Sequence, residues 1–377
     1  MKNEIIAVLV VALLVAVLVA ASLGASYFSG AVGRQTVTTT STVTSTLPGI
    51  VTVENKTSTI TTTLTSTNFT TVLAPSPGGL GNWAQTKSYP LYVSETSCVT
   101  SSGFAYCVGG YNGTTPQNGM GFLNRTYFAS LSSNGTSDWM RTTDYPIGIE
   151  DETCVTALGY IYCVGGSSTP TSNTADVYYA PLSSSGIGLW TKTVPYPYPA
   201  PDPRCVTYGS TIDCIGGIFN GTLHTAAFYA TVSPTGVGNW TQTTAPPTLT
   251  AGCSAIYGYA YCFGGGGCPP PGPCPSPSYF AELSSNGLGN WTTTTELPTA
   301  VYAEFTTGVA FQYYFSDPVY FGALSHDGIG AWGTTTPYPD GYPASCFASG
   351  FYVYCIGGSN VQTDSSSRSS YFAQVIT

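Results

Sequence analysis

Acidic residues are scarce in this chain, and four of them fall at one recurring place. Glu95, Asp151 and Asp202 each stand three residues ahead of a cysteine (Cys98, Cys154, Cys205), Glu304 holds the comparable place in a later segment, and Arg204 adds a cation beside Asp202. Only 7% of the 377 residues are charged, so carboxylates at equivalent positions are candidates for one site rather than scattered solubilising groups. Around one mouth they would offer hydrogen-bond acceptors to a polyhydroxylated ligand. Two carboxyls about 5–10 Å apart in a cleft would also suffice for glycoside hydrolysis. Solvated loop charges would give the same spacing without any role.

The remaining composition narrows the chemistry. With 9 Lys and Arg against 18 Asp and Glu, and a formal charge of −9, the chain lacks the basic balance of a nucleic-acid binder. No P-loop, dinucleotide fingerprint or nucleophilic serine motif occurs. Few titrating groups also mean that little changes as pH falls, which fits work in acidic surroundings.

The N-terminus carries an apolar run from Ile5 to Ala21, long for a secretory h-region and a little short of a full span of about 20 residues. It reads as a signal-anchor or signal peptide over residues 1–25, with cleavage conceivable after Ala21 or Gly24. Either way the chain is exported: tethered at the cell surface, or secreted if cut. Residues 26–75, as in "TVTTTSTVTSTLPGIVTVENKTSTITTTLTSTNFTT", form a Thr/Ser tract with almost no charge, expected to be an unfolded stalk with or without O-linked sugar.

The elements that must position the acids lie in residues 76–377. Tryptophans stand at Trp83, Trp139, Trp190, Trp240, Trp291 and Trp332, at intervals of 56, 51, 50, 51 and 41 residues. Near copies of one segment precede them, such as "YFAELSSNGLGNW" ending at Trp291 and "YYAPLSSSGIGLW" ending at Trp190. A period of about 50 residues marks a repeat fold, and each unit reads as four short antiparallel strands. In "CVTSSGFAYCVGG" a two-residue turn at Ser102-Gly103 sets Cys98 opposite Cys107, at a non-hydrogen-bonded pair close enough for a disulfide. The same offset recurs at Cys154/Cys163, Cys205/Cys214, Cys253/Cys262 and Cys346/Cys355, while Cys268 and Cys274 staple a loop. Zinc is the competing use of these thiols, but two histidines and an exported chain favour disulfides.

The order "Y-x-C-x-G-G", variable loop, "YFAxLSSxGxGxW" and proline turn resembles the Kelch repeat, and covers roughly Gly78 to Thr377. The turn "SHDGIGAW" is also similar to the Asp-box of sialidase propellers, with its glycines shifted. The resemblance implies an all-β, six-bladed β-propeller. "YFAQVIT" at the C-terminus and "GGLGNWAQT" near Trp83 would be the third and fourth strands of one blade, which closes the ring. Blade five, "EFTTGVAFQYYFSDPVYF", lacks both Cys and Gly-Gly and reads as clipped.

Within that architecture copper-radical chemistry of the galactose oxidase type is disfavoured, because His224 and His326 fall on opposite faces; no metal or other cofactor is expected. Sialidase chemistry wants clustered arginines, whereas of Arg125, Arg141, Arg204 and Arg368 only Arg204 adjoins an innermost strand. The favoured function is non-catalytic: a surface-displayed binding or adhesion module for glycans or envelope proteins. A glycoside hydrolase with paired carboxylates and a passive envelope component are the alternatives. Loops Tyr111–Arg125, Ser167–Ala175, Ile218–His224 and Cys268–Cys274 would rise on the acidic face, with a gap at "FSDP". Sequons at Asn55, Asn68, Asn112, Asn124, Asn134 and Asn220 are expected to carry N-glycans, whereas Asn239 and Asn290, each just before a tryptophan, are doubtful.

Overall fold

A computed structural model describes residues 36–47, 50–61, 77–113, 121–219, 222–264, 276–299, 305–308, 310–360 and 365–376. Two compact units are present, Met1–Ala74 and Pro75–Thr377. In the first, Thr36–Leu47 and Ile50–Thr61, both within the Thr/Ser tract, pair antiparallel along their whole length. Its Thr- and Val-rich composition is β-branched, and β-branched side chains favour extended backbone even where charge and bulk are low. The apolar segment expected to anchor the chain lies outside the described residues.

The second unit is a six-bladed β-propeller. In blade one Ser97–Ser101, Phe104–Val108, Thr126–Ser132 and Met140–Arg141 follow one another from the axis outward. The innermost hairpins have the register expected from the two-residue turns: Cys98 faces Cys107, Cys154 faces Cys163, Cys205 faces Cys214, Cys253 faces Cys262 and Cys346 faces Cys355. All five pairs are disulfides, with Cα separations of 4.0–4.2 Å. Cys268 and Cys274 lie outside the described residues. Five bridges in one domain point to an oxidising, extracellular-type environment.

Each repeated residue serves the joint between blades, and six hydrophobic clusters fill the six joints. The Trp190 indole N–H donates to the Thr143 carbonyl of the preceding blade at 3.1 Å, and Tyr145 meets its ring edge-on at 4.9 Å between centroids. Equivalent bonds run from Trp139 to Lys87, Trp240 to Val194, Trp291 to Thr244, Trp332 to Thr295 and Trp83 to Thr336. The glycine four residues before Trp190 has a packing reason. Gly186 sits at φ 113°, and a Cβ there would fall 2.3 Å from Thr142 Oγ1, the atom that receives the Ile187 N–H. The Gly pair is likewise an approach point: a Cβ on Gly165 would meet the Ala200 carbonyl oxygen at 2.1 Å, while the Gly166 N–H donates to that same oxygen at 2.8 Å.

The sixth blade is made from both ends of the domain. Ser370–Gln374 supplies its third strand, and Ala84–Gln85 its outer strand, with Ala84 opposite Phe372 and Gln85 opposite Tyr371. Blade five is reduced as expected: its two inner strands, Phe305–Gly308 and Phe311–Tyr314, have four residues each and no disulfide.

Candidate functional site

At the axis, on the face that carries the loops between second and third strands, the chain leaves a cavity of about 600 Å³. Its walls include Glu95, Asp151, Glu152, Asp202 and Arg204, together with Tyr342. Glu95, Asp151 and Asp202 all adopt the left-handed backbone conformation, with φ of 54°, 57° and 53°. Few non-glycine residues sit there, and three at one repeat position is a pattern set by the ring. Its cause is a staircase of backbone bonds around the axis: the Asp151 N–H donates to the Glu95 carbonyl at 3.4 Å, and the Asp202 N–H to the Asp151 carbonyl at 2.7 Å. Glu304, the fourth acid singled out in the sequence, lies outside the described residues.

Two further carboxylates join the group, and both were missed by counting back from the cysteines. Glu150 exchanges backbone hydrogen bonds with Ser167, which ties it to the base of the blade-two loop. Its carboxyl comes against those of Glu95 and Asp151, with one oxygen from each residue within 4.8 Å of the others. Glu152 is 4% exposed, and neither of its oxygens accepts a hydrogen bond from another residue. The signal available in the sequence was the run "IEDET", three consecutive carboxylates in a chain that otherwise avoids charge.

Glu150, Asp151 and Glu152 hold their protons well above the ordinary carboxylate range. Burial, the Glu95 charge and a hydrogen bond with Glu95 push Glu150 up to about 8. Burial and the charges of Glu95 and Asp202 raise Asp151 to about 7, against the opposing pull of Arg204. Glu152 is raised well above its usual value, first by burial and then by Asp151 and Glu150. Asp202 is raised by desolvation and drawn back by Arg204, which holds it with both terminal nitrogens. Water still reaches 45% of the Asp202 side chain, so solvent screens much of that contest.

The other cations do not converge. Arg125 and Arg141 both pair with Asp144, and Arg368 lies 5.9 Å from the centre of the Tyr92 ring. His224 sits beside a smaller hollow shared with Asp202 and Arg204, while His326 lies in a turn between third and fourth strands next to Asp327. Three of the rim loops fold back as short hairpins, Tyr111–Asn112 with Gly121–Phe122, Ser167–Thr169 with Ser172–Asn173, and Ile218–Phe219 with Thr222–Leu223. The loop of Cys268 and Cys274 is outside the described residues.

Among the sequons, Asn112 is only 7% exposed, in a short strand paired with Gly121–Phe122. Asn124 is half-buried and Asn134 exposed. Asn239 and Asn290 are also exposed, although each precedes a tryptophan: the indole turns into the blade joint and leaves its neighbour outside. Asn55 falls in the Ile50–Thr61 strand, and Asn68 and Asn220 lie outside the described residues.

One buried acid lies away from the mouth. Asp213 occupies the second strand of blade three at the place that Tyr106, Tyr162, Tyr261, Tyr313 and Tyr354 hold in the other blades. Four of those phenols donate to a serine carbonyl of the next blade at 2.7–2.8 Å. Asp213 is fully buried with both oxygens unpartnered, and desolvation raises it to about 7.

No protein-family model matches the sequence, and no curated protein matches it significantly. Among solved structures the chain is similar to that of YjhT, with a TM-score of 0.57 and 12% identity over 75% of this chain and 95% of that one. At that identity the likeness is one of fold.

Proposed function

We propose that this chain is an exported, Kelch-type propeller displayed at the cell surface, which binds a polyhydroxylated ligand, a glycan or a glycan-bearing envelope protein, through its axial acidic mouth. The observation that carries this reading is the alignment of Glu95, Asp151 and Asp202 at one strained backbone position around a cavity of about 600 Å³. Cavities of this size suit small ligands. Acids that keep a proton near neutrality offer both donors and acceptors to hydroxyl groups, which a fully ionised cluster does not. Tethering through the N-terminal apolar segment would make the molecule an adhesion or recognition module. Among the described residues no helix is long and apolar enough to cross a membrane, so the anchor rests on residues 1–25.

A glycoside hydrolase is the second reading, favoured by the paired carboxyls of Glu95 and Glu150. Their oxygens approach within 4.8 Å, closer than the spacing of about 6.5–9.5 Å that leaves room for an inverting enzyme's water. Screening the intact chain on a glycan array, with reducing-sugar release measured for each hit, tests both. Retained glycan without release supports the binder. Release supports the hydrolase, and an array without any hit sinks the glycan reading.

A further inference from the structure

We propose that the face opposite the acidic mouth docks on a neutral lipid surface through the turns of the innermost hairpins. This goes beyond the ligand reading and does not depend on what the mouth binds.

The exposed apolar side chains come first. Leu158, Tyr208, Tyr257 and Phe351 stand in or beside the turns that join first and second strands in blades two, three, four and six, and they are 54%, 44%, 63% and 54% exposed. Large apolar groups at the axial end of four blades form a patch rather than scattered surface residues. Turn geometry does not explain them. Leu158 and Tyr257 are each the first central residue of a two-residue turn, at φ 54°, and the glycines that follow, Gly159 and Gly258, are at φ 79°. Turns of this kind favour Asn or Asp ahead of the glycine, because a bulky residue is unfavourable in left-handed backbone. A leucine and a tyrosine held there with most of their surface in water serve neither the turn nor the core.

The turns are also built to leave water. The carbonyls of Gly159, Gly258 and Phe351 accept from the N–H groups of Leu182, Leu283 and Val375 at 2.8–2.9 Å, so covering these tips strands none of those carbonyls. Just behind the tips the Thr207 hydroxyl donates to the Thr156 carbonyl, the Thr156 hydroxyl to Thr100 and the Thr100 hydroxyl to Ala348, at 3.2–3.3 Å. These bonds tie the hairpins of blades three, two, one and six to one another. The platform is therefore preformed and needs little ordering on docking.

Charge and chain entry identify what covers it. The six turns, "SSGF", "ALGY", "YGST", "IYGY", "GVAF" and "SGFY", contain no Asp, Glu, Lys or Arg, which leaves nothing to recognise an anionic headgroup. Further out on the same face Asp138 pairs with Lys87 and Asp327 with His326, and those acids disfavour a negative surface. The propeller also begins on this face. The Gly78 N–H donates to the Ile376 carbonyl at 2.6 Å, past the end of the last strand, and a Cβ on Gly78 would meet the Phe311 ring at the hairpin end of blade five. The sequence ahead of Gly78 includes the apolar run Ile5–Ala21, so a chain held in a bilayer by that run joins the propeller on the face that carries the patch. Leucine and phenylalanine suit the acyl boundary, and tyrosine places its ring there with its hydroxyl among the headgroups. The acidic mouth then opens away from the membrane.

Co-sedimentation of the disulfide-bonded propeller, Pro75–Thr377, with phosphatidylcholine vesicles tests the proposal. This unit takes every strand of its six blades and both sides of each joint from its own residues, so it folds without the apolar run that would otherwise carry it to the vesicles. Binding is expected at about 1 mM lipid, unchanged between about 0.1 and 1 M salt and not strengthened by phosphatidylserine. Leu158→Asn together with Tyr257→Asn suits the left-handed turns, so the melting temperature is expected to hold while binding weakens at least about tenfold. Tyr92→Ser, exposed on the mouth's face, is expected to leave binding unchanged. If the paired variant does not fold, Phe351→Ser serves instead. Absence of vesicle-bound protein at about 5 mM lipid, or equal binding by wild type and paired variant, overturns the docking face. A dimer of the free propeller that the paired variant abolishes overturns it too, since the partner is then a second copy. The unit tested lacks Met1–Ala74, so its failure leaves both the anchor and the ligand reading of the mouth standing.

Discussion

The Trp83 indole N–H donates to the Thr336 carbonyl at 3.3 Å, across 253 residues of chain. The joint between the fifth and sixth blades is thus built like every other joint, although one side comes from the start of the domain and the other from near its end. Ring closure here is a sixth copy of an ordinary contact rather than a special latch.

Removing that copy should open the ring. Trp83→Ala deletes the indole bond and edge contacts with Tyr338 at 5.2 Å and Phe315 at 6.0 Å. A loss of about 3 kcal/mol is expected, toward the low end for a large aromatic because Trp83 is only partly buried. Denaturant melts would show it as a lower midpoint, and an unchanged midpoint would mean that the terminal strand contributes nothing to closure. The bared edge of blade six should also promote aggregation.

The disulfides brace single hairpins. Replacing Cys154 and Cys163 together by Ser should cost about 2–3 kcal/mol, since the bridge closes a loop of only 9 residues in sequence separation. Mass mapping without reduction should return the five hairpin pairs, and a free thiol at Cys98 or Cys107 would contradict the register.

That register was legible in the sequence, and for a physical reason. A strand pair repeats every two residues, a two-residue turn leaves one pairing, and cysteines nine apart can then only face each other. Tryptophan spacing exposed the blades and the closure in the same way, because every blade must meet its neighbour alike. The full acidic cluster was not legible. Glu150 reaches Glu95 only because the left-handed backbone at Asp151 and the pairing with Ser167 turn it inward, and neither has a local sequence signature.

Asp213 was visible as a departure, "IDCIGG" against "IYCVGG", yet only packing shows that it is buried without partners. Its proton is held to about 7 by burial, against about 4 for an unfolded aspartate. Between those values the folded state binds the extra proton, so this residue lowers stability as pH rises from about 4 to about 7 and has no further effect above. Melting temperatures of the wild type should therefore fall across that window more than those of Asp213→Asn. The two proteins should differ least near pH 4, where the wild-type aspartate is protonated. Parallel curves would show that the buried acid is not the titrating group. Asp213→Tyr should stabilise at every pH, because it restores the ring opposite Tyr229 and a phenol directed at the next blade. The direction agrees with a protein suited to acidic surroundings.

At Asp151 stability and binding should part company. The residue is held at φ 57°, a conformation that costs a non-glycine residue about 1 kcal/mol, and its carboxyl is partly desolvated beside Glu95 and Asp202. Asp151→Gly removes both burdens, and the melting temperature should rise by a few degrees. Ligand retained by the wild type on the array should be lost by that variant, because the acceptor at the centre of the staircase has gone. Asp151→Asn, which tolerates the same backbone and keeps an acceptor, should bind at an intermediate level. If Asp151→Gly binds as well as the wild type, the strained backbone belongs to the turn alone and the mouth is not the binding site. If it instead melts lower, the carboxylate is holding the blades together, and the acids are structural.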